Sequence, residues 1–339
     1  MSLPATYKRA AFLGKGEPLT VQEVPMISAE KGEVLIKVEA CGICFSDVYA
    51  QIDLMGAGFP LIPGHEIIGR VVALGEGVTS WKVGERVGGA WHGGHDGTCH
   101  ACKKGYFQMC DNRLVNGVSR QGGYAEYCTL HEEAAVPIPE GIDAAKYAPI
   151  LCAGVTMFNS LRRQKLGPGE TVAVQGLGGL GHLAIQYANK FGYRVVAISR
   201  GADKEKFARE LGAHEYIDTT KVNAAEALRE LGFASIIMTT SPDAGAIPEL
   251  LKGLGPDGKL LILSIPGEIK VDTSVLVTYG LSVQSWPSGH AKDSAEAVKF
   301  TQLEGIDCLI EKFPIERAND AYNAMLSGKV RFRSVIVFE

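Results

Sequence analysis

The chain has 339 residues, 46% of them hydrophobic, and a formal net charge of −4. That length exceeds one ordinary core and that apolar content can fill two, so two domains are expected. A near-balanced charge with no block of consecutive Lys or Arg excludes the electrostatic footprint of a nucleic-acid or anionic-membrane binder; a small neutral substrate suits such a surface.

Residues 1–12 carry Lys8 and Arg9 in a strand-like stretch, without the apolar run and cleavage site of a secretory signal. Charged residues, Gly or Pro interrupt every apolar run before the roughly 18 residues of a membrane span. A soluble, cytoplasmic protein is expected. Eight cysteines in such a chain point to metal binding or catalysis rather than disulfides, because cytosolic thiols stay reduced.

The first 150 residues or so read as mostly β, with short apolar runs at 34–38 and 67–74 broken by turn signals such as Pro63-Gly64. From Thr171 the texture changes. Strands are predicted at 171–175, 194–199, 215–218, 235–239, 259–264 and 281–285, alternating with helices at 179–191, 203–211, 224–231 and 244–253, each ending near a Gly. That alternation predicts an α/β fold with a doubly wound parallel sheet. A helix over 293–303 and a strand over 334–338 follow, and the strand can rejoin the β-rich half, making the first domain discontinuous.

Between the first predicted strand and helix of that sheet lies Gly176-Leu177-Gly178-Gly179-Leu180-Gly181. Gly176 permits the tight turn, Gly178 lets backbone approach a pyrophosphate, and Gly181 lets helix and strand pack closely, while N-terminal N–H groups face the phosphates. Sites that prefer NAD usually end the next strand with an acid that bonds the ribose 2′-hydroxyl. Here the position is Ser199, followed by Arg200 and, nearby, Lys204. These cations either pair with a 2′-phosphate or form a solvated helix start; the missing carboxylate favours the first, hence NADP(H) over NAD(H).

Three segments supply soft or borderline metal ligands: Cys41-Gly-Ile-Cys44-Phe-Ser-Asp47, Gly64-His65-Glu66 and Cys152-Ala-Gly-Val-Thr156. Two thiolates and an imidazole leave zinc an open fourth position. With the glycine loop, these segments resemble the zinc-containing, medium-chain alcohol dehydrogenase family over essentially the whole length. The resemblance implies a mostly β, GroES-like catalytic domain at 1–153 and 288–339, and a Rossmann domain at 154–287.

It further implies Cys44, His65 and Cys152 as ligands of a catalytic zinc, with Cys41 a packed thiol, Asp47 a nearby acid, and Glu66 able to approach the metal. Cys152 in place of an acid resembles the branch that uses simple alcohols, aldehydes or ketones. A second lobe resembles the family's structural zinc site at Asp96, Cys99, Cys102 and Cys110, where the first position is ordinarily Cys. Asp96, or else His95 or His100, completes a second zinc site, or the lobe is empty and held by packing.

By the same resemblance Ser46 is the first proton acceptor. Tyr49 stands where the family commonly has a His that passes the proton on, and Phe45 where a His or Arg often meets the pyrophosphate. Arg333 resembles an Arg that reaches the cofactor phosphates. Thr156 and the Ser264-Ile265 turn flank the nicotinamide, with Leu177 near the loop. Trp91 and Tyr49 wall the substrate pocket, suiting an apolar or aryl substrate, although Trp91 reads equally as core. The family's habit implies a homodimer or homotetramer. Two other readings stay open: a dinucleotide-binding protein of this fold that has lost catalysis, and a zinc-free quinone or enoyl reductase.

Overall fold

The computed structural model describes residues 3–338 and divides into two units, Met1–Val155 with Ser288–Glu339, and Thr156–Pro287. The boundary at Val155/Thr156 falls inside the helix Ala153–Arg162, and the chain returns to the first unit at Ser288. Among the described residues no helix is long and apolar enough to cross a membrane. The N-terminal strand-like stretch is the strand Thr6–Phe12, and Met1 and Ser2 lie outside the described residues.

The first unit is built on a seven-stranded sheet. Its central strand, Glu33–Gly42, lies antiparallel to Ile67–Leu74 on one side and to the C-terminal strand Arg333–Val337 on the other, and also pairs with Tyr127–His131. The last strand therefore does rejoin the β-rich half. Ile36, Val38, Cys41, Ile67, Val71, Val87 and Ile336 form the buried core against which the sheet folds. Apolar residues run on through Val34, Leu35 and Ile36, all buried, so this strand packs on both faces, as its near-continuous apolar sequence requires.

Register is what positions chemistry here. Cys41 stands opposite Ile67 on one neighbour and Ile336 on the other. Beyond these paired residues the three chains continue into Cys44, back into His65-Glu66, and back into Arg333, at the same edge of the sheet. Gly42 N–H donates to the Glu66 carbonyl (2.9 Å) and Ile43 N–H to the Ser334 carbonyl (2.9 Å), which holds that edge together.

The second unit is a six-stranded parallel sheet. In space its strands run Glu215–Asp218, Arg194–Ser199, Thr171–Gln175, Ala234–Thr239, Leu254–Ile262, Ser282–Gln284, which is sequence order 3-2-1-4-5-6. This is the doubly wound dinucleotide-binding topology expected from the alternating pattern. Differences are local. The predicted 244–253 helix is a short turn, Ile247–Leu250, and a 3₁₀ turn, Leu251–Gly253, because Asp243 bonds Gly245 N–H (3.0 Å) and Pro248 occupies the first turn. The fifth strand begins earlier than predicted, at Leu254, with a register shift beside Ala234–Ile236 and a left-handed Asp257 (φ 58°).

In the glycine loop Gly176 has φ 96°, and a Cβ on Gly181 would fall on the Gly176 carbonyl oxygen, closer than any real contact. Nothing lies within 4 Å of the Cβ position of Gly178. Gly181→Ala should therefore destabilise the second unit by about 1–3 kcal/mol, the usual cost of overpacking against fixed backbone. Native-state hydrogen exchange on strand Thr171–Gln175 reads this directly; protection equal to wild type would mean that the loop yields without cost.

Candidate metal centre and dinucleotide loop

Cys44 ends the central-strand excursion and starts a 3₁₀ turn, Phe45–Asp47, followed by the short helix Val48–Gln51. The turn folds back on itself: Cys44 N–H donates to Asp47 Oδ2 at 2.9 Å and Asp47 N–H donates to the Cys44 carbonyl at 3.0 Å. Asp47 is fully buried, and its other oxygen lies 3.1 Å from His65 Nδ1. Tyr124 Oη donates to Asp47 Oδ2 at 2.6 Å. His65, Glu66 and Tyr124 are likewise fully buried.

One ligand atom from each of Cys44, His65, Glu66 and Cys152 can be chosen so that all lie within 4.8 Å of one another. The two sulfurs are 3.8 Å apart, the separation that two metal–sulfur bonds of about 2.3 Å produce at a tetrahedral angle. His65 Nε2 is buried with no hydrogen-bond partner. With Nδ1 turned to Asp47, Nε2 is the nitrogen left for a metal, and a carboxylate behind a ligating imidazole fixes both its tautomer and its orientation. The donor set therefore fits a zinc ion.

Electrostatics point the same way. The hydrogen bond shared with Cys152 draws the Cys44 thiol well below its ordinary range, against burial, with help from His65 and Arg333; the same bond, with burial, pushes Cys152 well above. A cation bound between the two adjacent sulfurs would stabilise both as thiolates. Burial opposes a charge on His65, but the Asp47 carboxylate and Cys44 outweigh it and raise the imidazole to about 10. Metal uptake at neutral pH accordingly displaces protons from this cluster.

Glu66 is pushed up to about 7 by burial, with Arg333 pulling the other way. Arg333 is itself buried, and its Nη2 donates to Glu66 Oε1. The resemblance puts this arginine at the cofactor phosphates; within the first unit its guanidinium faces the Glu66 carboxylate, and it is no surface residue. Ser46 and Tyr49 are half-buried on the turn and helix that follow Cys44. Burial, reinforced by Cys44, raises the Tyr49 phenol, so it stays neutral at physiological pH. Trp91 is half-buried with its ring edge-on to His65, centroids 4.9 Å apart. Phe45 is exposed.

The second lobe also assembles. Asp96, Cys99, Cys102 and Cys110 place one ligand atom each within 4.8 Å of one another. Cys102 N–H points at Cys99 Sγ (3.5 Å), which draws that thiol below its ordinary range, and Asp96 N–H points at Cys110 Sγ (3.4 Å). Asp96 Oδ1 accepts from the N–H groups of Thr98 (2.7 Å) and Cys99 (3.0 Å), and Oδ2 from Asn112 (2.7 Å). Those bonds hold its carboxyl well below the usual range. His95 is not in the cluster: it turns to His92 (3.1 Å) and lies against Phe107.

In the second unit the helix Gly181–Lys190 has no side-chain cap at Leu180; His182 N–H donates to the Gly178 carbonyl (3.1 Å) and Leu183 N–H to the Leu180 carbonyl (3.2 Å), beside the open face of Gly178. Leu177 is buried and Gly179 and Leu180 are partly exposed along the same turn. Ser199 is buried at its strand end, Arg200 is exposed, and Lys204 sits on the next 3₁₀ turn. Asp218, on the neighbouring strand, is committed to Gly201 N–H (2.8 Å) and to Thr220. Thr156 is buried, Ser264 Oγ donates to the Ser241 carbonyl (2.7 Å), and Ile265 is exposed.

Sequence reasoning missed Tyr124 and the Glu66–Arg333 pair. The only signal for the first was the pair of glycines before Tyr124, and the second joins residues 267 positions apart.

Comparison with known proteins agrees with this geometry. Residues 30–140 match the alcohol dehydrogenase GroES-like domain, and residues 179–302 the zinc-binding dehydrogenase domain. The chain is 63% identical over 333 residues to the alcohol dehydrogenase patD of Penicillium expansum, covering 98% of each. It is 36% identical to an alcohol dehydrogenase of Geobacillus stearothermophilus over 94% of this chain and 95% of that one. Among solved structures, a cinnamyl alcohol dehydrogenase from Sorghum bicolor superposes with a TM-score of 0.88 at 27% identity, over 98% of this chain and 97% of the other.

Arg333→Leu should strand Glu66 as a buried, unpaired carboxylate. The expected loss is about 3–5 kcal/mol, with part recovered in the Glu66→Gln/Arg333→Leu double variant. Urea unfolding checks it; a single variant as stable as wild type would show that the pair does not hold this edge together.

Proposed function

This chain belongs to the zinc-containing, medium-chain alcohol dehydrogenase family, and on that premise we propose that it is a zinc- and nicotinamide-dependent enzyme interconverting an alcohol with an aldehyde or ketone. The observation that carries the proposal is the donor set: two sulfurs 3.8 Å apart, an imidazole nitrogen without a hydrogen-bond partner and a restrained carboxylate, gathered around one point and buried except for the half-buried Cys152. When bound, zinc supplies a Lewis acid for the substrate oxygen in either direction.

The chain's own residues divide the remaining work. Cys44, His65 and Cys152 hold the metal. Glu66 is a fourth donor kept back by Arg333, and Asp47 orients His65. Ser46 takes the hydroxyl proton first. Tyr49 stays protonated and cannot act as the next base, so water or the cofactor ribose hydroxyl carries the proton on. Trp91, edge-on to His65, gives the substrate side an aromatic wall and suits an apolar or aryl substrate.

Asp96, Cys99, Cys102 and Cys110 hold a second, structural zinc. Asp96 is anionic at neutral pH, and a carboxylate oxygen is an acceptable fourth ligand. The cofactor binds at the glycine loop, with Gly178 open to the pyrophosphate. NADP(H) is preferred, since Ser199 contributes no carboxylate and the exposed Arg200 beside it can meet a 2′-phosphate.

Metal analysis should return two zinc ions per chain, and Cys44→Ser should lose one of them together with turnover of aldehydes. Activity that persists in the zinc-stripped protein would overturn the mechanism. On the cofactor side, kcat/KM should favour NADPH over NADH, and Arg200→Ala should narrow the ratio by roughly ten- to a hundred-fold, the worth of one charge-assisted contact. A wild-type preference for NADH would refute the cofactor assignment.

A further inference from the structure

Tyr124 is fully buried and is neither a metal ligand nor a group offered to substrate. Its phenol donates to Asp47 Oδ2 at 2.6 Å, and burial with the nearby Asp47 charge raises it far from ionisation, so the proton stays on Tyr124. Oδ2 is the same oxygen that receives Cys44 N–H, while Oδ1 faces His65 Nδ1. One carboxylate thus ties two of the three metal ligands, and Tyr124 is the side chain that anchors that carboxylate.

The backbone around Tyr124 reaches the second ligand directly. Tyr124 N–H donates to the Pro63 carbonyl (3.0 Å) and Gly123 N–H to the Gly64 carbonyl (2.9 Å), immediately before His65. Gly64 has φ 101°, and a Cβ there would meet the Tyr124 ring at 2.5 Å. The ring therefore lies flush against the peptide that delivers His65. The ring thus restrains the residue before His65 while the hydroxyl holds the carboxylate that faces the imidazole.

We propose that Tyr124 is a positioning residue of the metal centre: through Asp47 it sets the geometry of His65 and Cys44 and so slows release of the ion. The proposal rests on the reading that Cys44, His65 and Cys152 hold zinc. Without the phenol, Asp47 keeps one donor on Oδ2 and is free to turn, taking the imidazole plane with it. Losing such an outer hydrogen bond typically costs ten- to a hundred-fold in metal affinity.

The test is zinc release from the intact protein to a chromophoric chelator, comparing wild type, Tyr124→Phe, Asp47→Asn and the double variant. Release from the site that contains Cys44, identified by its loss in Cys44→Ser, should accelerate about ten-fold or more in Tyr124→Phe, with release from the Cys99–Cys102–Cys110 lobe unchanged. In the Asp47→Asn background Tyr124→Phe should add little, because the hydroxyl acts through that carboxylate. The visible spectrum of the cobalt-substituted protein should shift in Tyr124→Phe, which a general loss of stability would not cause. Unchanged release and spectrum in Tyr124→Phe would overturn the proposal while leaving the zinc reading intact. So would equal acceleration at both sites, or a variant that fails to fold, either of which would make Tyr124 a core residue only. A wild-type protein with no zinc at Cys44 would overturn both.

Discussion

The first unit depends on one buried negative charge. Asp47 is fully buried, and a carboxylate in that position persists only where its oxygens are satisfied. Here a backbone N–H, a phenol and an imidazole surround it, contributed by three separate stretches of chain. The loop after the central strand, the turn before Ile67–Leu74 and the Gly122-Gly123-Tyr124 segment are each fixed by satisfying the same group. An ion bound at Cys44, His65 and Cys152 would share that support, since Cys44 N–H donates to Asp47 Oδ2 and His65 Nδ1 lies 3.1 Å from Oδ1.

A second constraint is strand register. The central strand sets Cys41 level with both Ile67 and Ile336, so residues 44, 65–66 and 333 emerge together although Arg333 lies 267 positions beyond Glu66. A one-residue slip would turn every side chain of a strand to its opposite face. The buried stretches 33–36 and 40–42 of the central strand and the Glu66–Arg333 pair both resist such a slip. The C-terminal strand, flanked by Ile310–Pro314 on one side and the central strand on the other, is thus part of the architecture of the candidate metal centre.

These two constraints explain what could and could not be read from the residues alone. The strands at 171–175, 194–199 and 215–218 were legible to the residue because each is a short apolar run bounded by turn signals, and the parallel order followed from the alternation with helices. Helix ends were less so: the 244–253 segment looked like one helix until Pro248 and the Asp243 turn divided it. The short elements Ile310–Pro314 and Ala318–Leu326 carry weak periodicity and took their form from packing against the C-terminal strand. At the metal centre, ligand types showed in local motifs, and the resemblance distinguished Cys44 from Cys41. Structure adds the physical reason: Cys41 is buried within the central strand, its thiol raised by burial, while Cys44 lies beyond the strand where the chain turns. Tyr124 was illegible because its role lies in a contact across 77 positions.

The two candidate metal clusters differ in kind. Asp96, Cys99, Cys102 and Cys110 lie within a single short loop, and their supporting bonds, N–H to sulfur and N–H to carboxylate, are all local. Such a loop has little apolar core of its own, so metal affinity there is largely folding energy, and a closed four-donor set is the fitting arrangement. The Cys44 cluster is assembled by tertiary register and by the buried network around Asp47. A centre built that way can keep a coordination position for a substrate without losing its shape, because its ligands are held from behind. Glu66, paired with Arg333 beside that position, is restrained by an opposing charge rather than by the metal alone. The same chain thus gathers one donor cluster by local spacing and the other by long-range register around a shared carboxylate.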